Sequence, residues 1–172
     1  MTCKNNLLSD QQIRDFAQQL VEEQNTMTIA TALKDMAWAA PVYYASIEFD
    51  FYFFSDPASR HIKESMQNGQ ASAAIFAAAL TWKDIRGVQM SGSISQRSPG
   101  LASLRALRAY LKKFPFTKEF FTGDQQLTLD AFIKTFRVHL YRFRPTLLYY
   151  VDNKIRFSFR QKVHLAEVGD NL

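Results

Sequence analysis

An aromatic run that ends in a serine constrains the fold of this chain more than any other segment. Phe51-Tyr52-Phe53-Phe54 leads into Ser55, and the basic string Ser59-Arg60-His61-Ile62-Lys63 follows after a turn at Asp56-Pro57. Successive side chains of a strand point to opposite faces of its sheet, so a strand this aromatic must be covered on both faces. We therefore expect a buried strand that passes almost directly into a helix.

The helix after this strand has recognisable boundaries. Asp56 is a suitable cap, Pro57 suits the first helical position and Asn68-Gly69 suits the end, which predicts a helix over residues 57–68. Hydroxyl groups, free amides of a helix N-terminus and positive charge then converge at one point, as a phosphate dianion requires. The Asp56 carboxylate competes for the same terminus, and a solvated basic face beside an ordinary cap remains the alternative. The candidate phosphate-binding residues are Ser55, Ser59, Arg60, His61 and Lys63.

The remaining periodicities predict a mainly β fold with helices. Ser9 and Gln12 predict a capping box for an amphipathic helix over residues 10–24, and Pro41 indicates an edge strand or a bulge. Ser98-Pro99 is predicted to open a helix whose Leu101, Leu104, Leu107 and Leu111 share one face. Strands are predicted over residues 27–31, 38–47, 51–54, 70–78, 85–96, 136–143 and 147–151, with a further possibility at 154–159. This pattern predicts an α+β fold, an antiparallel barrel of six or seven strands with about four helices.

Composition sets outer limits on function. With 172 residues, 47% apolar residues and no linker, the chain is expected to form one domain over residues 1–172. Cys3 is the only cysteine and there are three scattered histidines, so no metal site is predicted. Residues 1–12 lack the apolar core of a secretory signal, and the longest apolar run, residues 71–80, is shorter than the roughly 20 residues of a membrane span. We expect a soluble cytoplasmic protein.

These parts resemble the flavin-binding split barrel of the pyridoxamine-phosphate-oxidase-like superfamily. Phe53-Phe54-Ser55 and Ser59-Arg60-His61 are similar to the strand-turn-helix unit that binds the flavin phosphate there, and the resemblance is good over residues 28–96. It implies FMN as the cofactor, held at its phosphate by the five candidate residues with Lys63 as an outer helper. It also implies that the flavin ring lies along residues 38–44 and that the protein is a homodimer with each flavin between two subunits.

A closer resemblance is to a branch of short bacterial members without a settled activity. Its motifs appear here, in order, as Ser59-Arg60-His61, Ile85-Arg86-Gly87-Val88-Gln89, Phe114-Pro115, Asp152-Asn153 and Arg156-Phe157-Ser158-Phe159. Pyridoxamine phosphate oxidase itself is rejected. Its substrate-binding cations on the second strand are replaced by small or apolar residues near Ala40 and Ala45, and its C-terminal Trp and Arg-x-His clamp are absent from residues 156–172.

The leading hypothesis is a flavin-dependent oxidoreductase that acts on a small, unidentified substrate. No catalytic residue is nominated, since the flavin carries the redox chemistry, and His139 is interpreted as a structural histidine. No catalytic triad, paired carboxylate or glycine-rich nucleotide loop is present in the sequence. One rival is a non-enzymatic flavin or haem carrier or sensor of the same fold. A less favoured rival is a nucleic-acid-binding barrel, which would use the net charge of +5 and the basic helical face of Arg105, Arg108, Lys112 and Lys113.

Overall fold

The structure is a computed structural model that describes residues 8–120 and 128–165. Four α-helices, two short 3-10 helices (Trp82–Asp84 and Pro115–Phe120) and a curled antiparallel sheet of eight strands make up the regular structure of these residues, which confirms the α+β antiparallel fold class. In chain order the elements are α1 (Asp10–Glu23), β1 (Thr26–Leu33), β2 (Met36–Tyr43), β3 (Ala45–Ile47), β4 (Asp50–Ser55), α2 (Arg60–Asn68), β5 (Ala71–Phe76), β6 (Arg86–Gln96), α3 (Leu101–Lys113), α4 (Leu129–Phe136), β7 (His139–Asp152) and β8 (Arg160–Lys162).

The strands follow one another across the sheet in the order β2-β1-β5-β6-β7-β4-β3, and β8 pairs with β7. Every pairing is antiparallel. β2, which carries Pro41, lies at the edge of this order, as the proline predicts. An edge strand tolerates proline because the missing N–H group removes a hydrogen bond that only an outer neighbour would receive.

β4 is covered on both faces, as its aromatic sequence predicts. Phe51 and Phe53 are fully buried in the larger core cluster, together with residues of α1 and the inner faces of the strands. Tyr52 and Phe54 belong to the second cluster, beneath α3 and α4. The alternation places two separate cores on the two sides of one strand. This strand is therefore rigidly held at the point where it ends in Ser55.

The N-terminal helix is held at both ends. The predicted capping box is present, because the Ser9 hydroxyl accepts a hydrogen bond from the Gln12 amide and the Gln12 side chain accepts one from the Ser9 amide. At the other end, Lys113 Nζ donates to the carbonyl oxygen of Gln24 at 2.5 Å and lies 4.0 Å from the centre of the Tyr44 ring. Burial lowers the pKa of Lys113 to about 8. Lys113 therefore does not belong to the exposed basic face proposed for α3.

Two helices differ from their predicted form. α2 begins at Arg60 rather than at residue 57, because Asp56 accepts a hydrogen bond from the Ala58 amide and forms a turn before the helix. Its end at Gly69, with φ of 72°, is as predicted. The leucines on one face of α3 are not buried alike, since Leu107 is 1% exposed and Leu101 is 79% exposed. The face that α3 buries consists of Ser103, Ala106, Leu107 and Tyr110.

The strand boundaries also differ in two places. The two late strands predicted on either side of Pro145 form one continuous strand, β7, because a bulge opposite Ser91 and Gly92 accommodates the proline. The strand predicted over residues 38–47 is divided at Tyr44 into β2 and β3, and residues 154–159 form turns before β8. The merger and the division cancel, and β8 raises the strand count to eight. Among the described residues, no helix is long and apolar enough to cross a membrane.

Candidate functional site

Three of the five predicted site residues meet where β4 passes into α2. Ser55 Oγ lies 3.2 Å from Ser59 Oγ and 3.0 Å from His61 Nε2. Ser55 is the last residue of β4, Ser59 is the N-cap of α2 and His61 lies in the first turn of that helix. The short connection between strand and helix therefore folds two hydroxyl groups and an imidazole into one cluster.

The helix N-terminus beside this cluster is not capped by a side chain. Ser59 has the extended conformation of an N-cap, but its hydroxyl makes no hydrogen bond to the first turn. Asp56, which the sequence suggests as a competitor for this terminus, is engaged by the Ala58 amide. The amides of residues 60–62 consequently have no acceptor within the described residues. Such amides, together with the helix dipole, form a local anion-binding environment.

His61 holds Ser55 from the buried side of the cluster. The imidazole is 7% exposed, and burial lowers its pKa. The ring is therefore neutral at pH 7 and can share one hydrogen bond with the Ser55 hydroxyl. No carboxylate binds its second nitrogen among the described residues, so the Ser-His pair lacks the orienting third group of a hydrolytic triad. The arrangement suits binding better than nucleophilic catalysis.

The two remaining predicted residues are placed differently. Arg60 Nε donates to Glu64 Oε1 at 2.6 Å, and its guanidinium lies over the Trp38 ring at 4.8 Å. Arg60 thus adjoins the cluster as part of α2 but makes no hydrogen bond to its serines or histidine. Lys63 is exposed and has no hydrogen bond or ion pair from its side chain within the described part of the chain. The structure does not bring Lys63 into the cluster.

A second histidine, His139, lies next to the cluster, and the sequence predicts a structural role for it. His139, the first residue of β7, pairs directly with Ser55 across the ladder between β4 and β7. Its Nδ1 atom is buried and has no hydrogen-bond partner among the described residues. The ring stacks against Tyr141 at 6.5 Å. Only the register of two strands far apart in the sequence identifies this neighbour of Ser55, so no local signal predicts it.

The donor set fits a phosphate monoester. The N-terminus of α2 is surrounded by two hydroxyl groups, three free amides and the positive charge of Arg60. The two nearby carboxylates make their hydrogen bonds to other groups, outside the cluster. Asp56 binds a backbone amide, and Glu64 binds Arg60 and Thr31. No group of three potential metal ligands occurs among the described residues. The site is therefore suited to an anion rather than to a metal ion.

Comparisons with known proteins agree with this architecture. No family model matches the chain. A curated relative, the "UPF0306 protein" of Klebsiella pneumoniae (strain 342), is 25% identical over 146 residues, which are 84% of this chain and 86% of the relative. This match fits the poorly characterised bacterial branch that the sequence motifs suggest.

Solved structures of low sequence identity share the fold. A heme binding protein from Mycobacterium smegmatis is similar with a TM-score of 0.67 and 16% identity over 91% of this chain, which spans only 58% of that protein. The heme storage protein from Vibrio cholerae has a TM-score of 0.63 and 12% identity, with 79% and 92% of the two chains covered. A putative pyridoxamine 5'-phosphate oxidase from Listeria innocua has a TM-score of 0.61 and 12% identity, with 81% and 98% covered. The chain has the pyridoxamine-phosphate-oxidase-like split-barrel fold.

Proposed function

We propose that this split-barrel protein binds FMN and uses it to oxidise or reduce a small substrate. The observation that carries the proposal is the meeting of Ser55, Ser59 and His61 at the uncapped N-terminus of α2. A terminal phosphate distinguishes FMN from riboflavin, and a site rich in hydroxyl and amide donors recognises that group. The likeness in fold to a putative pyridoxamine 5'-phosphate oxidase supports the proposal.

Each group has a defined part in holding the phosphate. The Ser59 hydroxyl and the first-turn amides donate to phosphate oxygens, and Ser55 donates from the end of β4. His61, neutral and buried, donates its Nε2 proton to the Ser55 oxygen, which leaves the single Ser55 proton for the phosphate. Arg60 supplies positive charge, and Lys63 contributes only long-range attraction because it is exposed and outside the cluster.

The protein positions the cofactor, and the flavin supplies hydride chemistry when bound. The described residues contain no group of three potential metal ligands, and we assign no general acid or base. The proposal includes a cytoplasmic location, for which the low cysteine content is the supporting observation.

We also propose that the protein is a homodimer with the flavin at the seam between subunits. Strand β2, the edge of the sheet, exposes apolar side chains along most of its length: Met36 is 59% exposed, Trp38 43% and Tyr43 50%. An exposed apolar edge strand is an aggregation hazard unless it is covered. A second copy of the chain would cover this edge. Because Trp38 contacts the Arg60 guanidinium, the seam would then lie next to Arg60.

A non-enzymatic flavin or haem carrier is the second candidate. The likeness in fold to a heme binding protein and a heme storage protein favours it, and His139, on the strand beside Ser55, offers an imidazole. Imidazole is a common ligand of haem iron. The nucleic-acid alternative is weakened, because Lys113 of its proposed basic face is directed to the end of α1 instead.

An absorption spectrum of the freshly purified protein is the first test. Bound flavin, bound haem and no cofactor give different visible spectra, so one measurement separates the proposal from its rival. The second step is titration of cofactor-free protein with FMN, FAD and riboflavin, followed by flavin fluorescence. We expect FMN to bind at least tenfold more tightly than riboflavin, which corresponds to about 1.4 kcal/mol for the phosphate contacts. Equal affinities for FMN and riboflavin would reject the phosphate site.

A further inference from the structure

Four residues form a closed set of contacts beside the proposed phosphate site. Thr31 of β1 and Trp38 of β2 are direct cross-strand partners, and Arg60 and Glu64 are one turn apart on α2. The Thr31 hydroxyl donates to Glu64 Oε2 at 2.6 Å, and Trp38 lies under the Arg60 guanidinium at 4.8 Å. The ion pair between Arg60 and Glu64 completes the set. We call these residues the Arg60 support.

The support engages Arg60 on two sides. Its Nε atom donates to Glu64 Oε1, and one face of the planar guanidinium covers the Trp38 ring. The two terminal nitrogens, Nη1 and Nη2, have no hydrogen-bond partner within the described residues. An arginine that is free in solution loses side-chain entropy when it binds an anion, and an arginine already held loses less. The free edge of Arg60 is therefore preorganised for a fork of two parallel hydrogen bonds.

Glu64 is a buried carboxylate, which is uncommon on a surface helix. Its side chain is 7% exposed, whereas that of Arg60 is 40% exposed. Hydrogen bonds from Thr31, and then from Arg60, hold the pKa of the Glu64 carboxyl below its usual value. A buried carboxylate that accepts from two donors is fixed in position. Its hydrogen bond from Arg60 Nε therefore restricts the conformation of the Arg60 side chain.

We infer that Glu64 and Trp38 are positioning residues, which hold Arg60 so that its free edge contacts the cofactor phosphate and makes the site selective for phosphorylated flavin. This inference rests on the proposed function. Neither residue needs to touch the cofactor phosphate for the effect. Because the role is indirect, it must disappear when Arg60 itself is removed.

Glu64 could affect FMN binding in two opposite ways, and a measurement of FMN affinity distinguishes them. A carboxylate that merely competed with the phosphate for Arg60 would weaken FMN binding, and its removal would then strengthen binding. A positioning carboxylate has the reverse effect, because its removal releases Arg60 into many rotamers. The sign of the change in FMN affinity therefore separates the two roles.

The experiment measures FMN and riboflavin affinity of full-length cofactor-free protein by flavin fluorescence. We expect Glu64→Ala to weaken FMN binding about tenfold and to leave riboflavin binding within about twofold, since only FMN carries the phosphate. Glu64→Gln, whose amide oxygen can still accept from Arg60 Nε, should restore most of the affinity. In an Arg60→Ala background, Glu64→Ala should change FMN affinity by less than about twofold.

Controls separate a positioning effect from a folding defect. Glu23→Gln removes the negative charge that pairs with Arg86, away from the site, and should leave both affinities unchanged. Trp38→Leu removes the ring under Arg60 but keeps an apolar side chain in the proposed seam, and it should weaken FMN binding more than riboflavin binding even if the Glu64 variants do not fold. An equal loss of FMN and riboflavin affinity, a gain in FMN affinity, or an undiminished Glu64 effect without Arg60 would overturn the inference. A wild-type protein that binds no flavin would instead reject the proposed function.

Discussion

Ser55 and His139 are direct partners in the ladder between β4 and β7, so the last residue of one strand and the first residue of the other share one face of the sheet. His61 approaches the same serine from α2. The strand pairing thus brings a second imidazole to the edge of the proposed phosphate site. The chemical environment of Ser55 is therefore set by three separate elements of the fold.

We expect replacement of the His139 ring by phenylalanine to have little effect on stability. In His139→Phe the stacking on Tyr141 is retained, while a buried polar atom without a partner among the described residues is lost. Such a replacement is nearly neutral or stabilising, so we expect the free energy of unfolding to change by no more than about 1 kcal/mol. Urea denaturation measures it. A loss of more than about 2 kcal/mol would show that His139 makes a stabilising hydrogen bond.

The phosphate contacts predict a graded effect on FMN affinity. Ser59→Ala and Arg60→Ala should each weaken FMN binding about tenfold or more, because a hydrogen bond to a charged group contributes roughly 1.5–3 kcal/mol. Lys63→Ala is the matched control: it removes a positive charge from the same helix, but at an exposed position outside the cluster. We expect less than about a twofold change for Lys63→Ala. Equal losses in all three variants, measured by fluorescence titration, would indicate general electrostatic attraction instead of a built site.

At Gly92, we expect the addition of one methyl group to disrupt the sheet. A Cβ atom at this position would lie 2.1 Å from the carbonyl oxygen of Arg144 and 2.7 Å from Cα of Pro145, at the bulge between β6 and β7. Both contacts are with backbone, so relief requires the strands to separate, and Gly92→Ala should cost about 3 kcal/mol or more.

Gly100 supplies the control for this substitution. It precedes α3, and no atom of the described residues lies within 4 Å of a Cβ added there. Gly100→Ala should change the unfolding free energy by less than about 1 kcal/mol. Similar denaturation midpoints for the two variants would contradict the close contact at Gly92.

The buried His61 predicts a loss of stability on acidification. Burial lowers its folded pKa, so the unfolded chain binds a proton more readily than the folded protein does. The contribution of the neutral ring is complete above the unfolded pKa of about 6.5 and is lost as the pH falls through the folded value, with a slope of at most about 1.4 kcal/mol per pH unit. His61→Gln lacks this titration. The stability difference between wild type and His61→Gln should therefore shrink from pH 7.5 to 5.5 in urea titrations, and a constant difference would contradict the prediction.

The apolar edge of β2 predicts a change of oligomeric state. If a second copy covers this strand, Ala39→Lys should place a charge in the seam and shift the protein from dimer to monomer in analytical ultracentrifugation. Ala102→Lys, on the exposed surface of α3, is the control and should leave the dimer intact. A wild-type protein that sediments as a monomer at micromolar concentration would reject the proposed seam.

Local sequence determines the elements whose stabilising contacts lie within one or two turns. The capping box of Ser9 and Gln12 and the left-handed Gly69 at the end of α2 are confirmed, because each depends on hydrogen bonds between near neighbours. The aromatic alternation of residues 51–54 similarly requires two covered faces whatever lies on them. These features follow from spacing and residue type alone.

Tertiary structure decides the contacts between segments that are distant in the chain. The buried face of α3 depends on the surface that receives it, which covers Leu107 and Tyr110 and leaves Leu101 exposed. Only strand register places His139 beside Ser55 and Thr31 beside Trp38. A change of register by one residue turns every side chain to the other face of the sheet, so pairing, and not composition, selects which polar groups meet. The sequence by itself thus determined the strand-helix unit and its candidate residues, and the packing of the sheet decided which of them share a site.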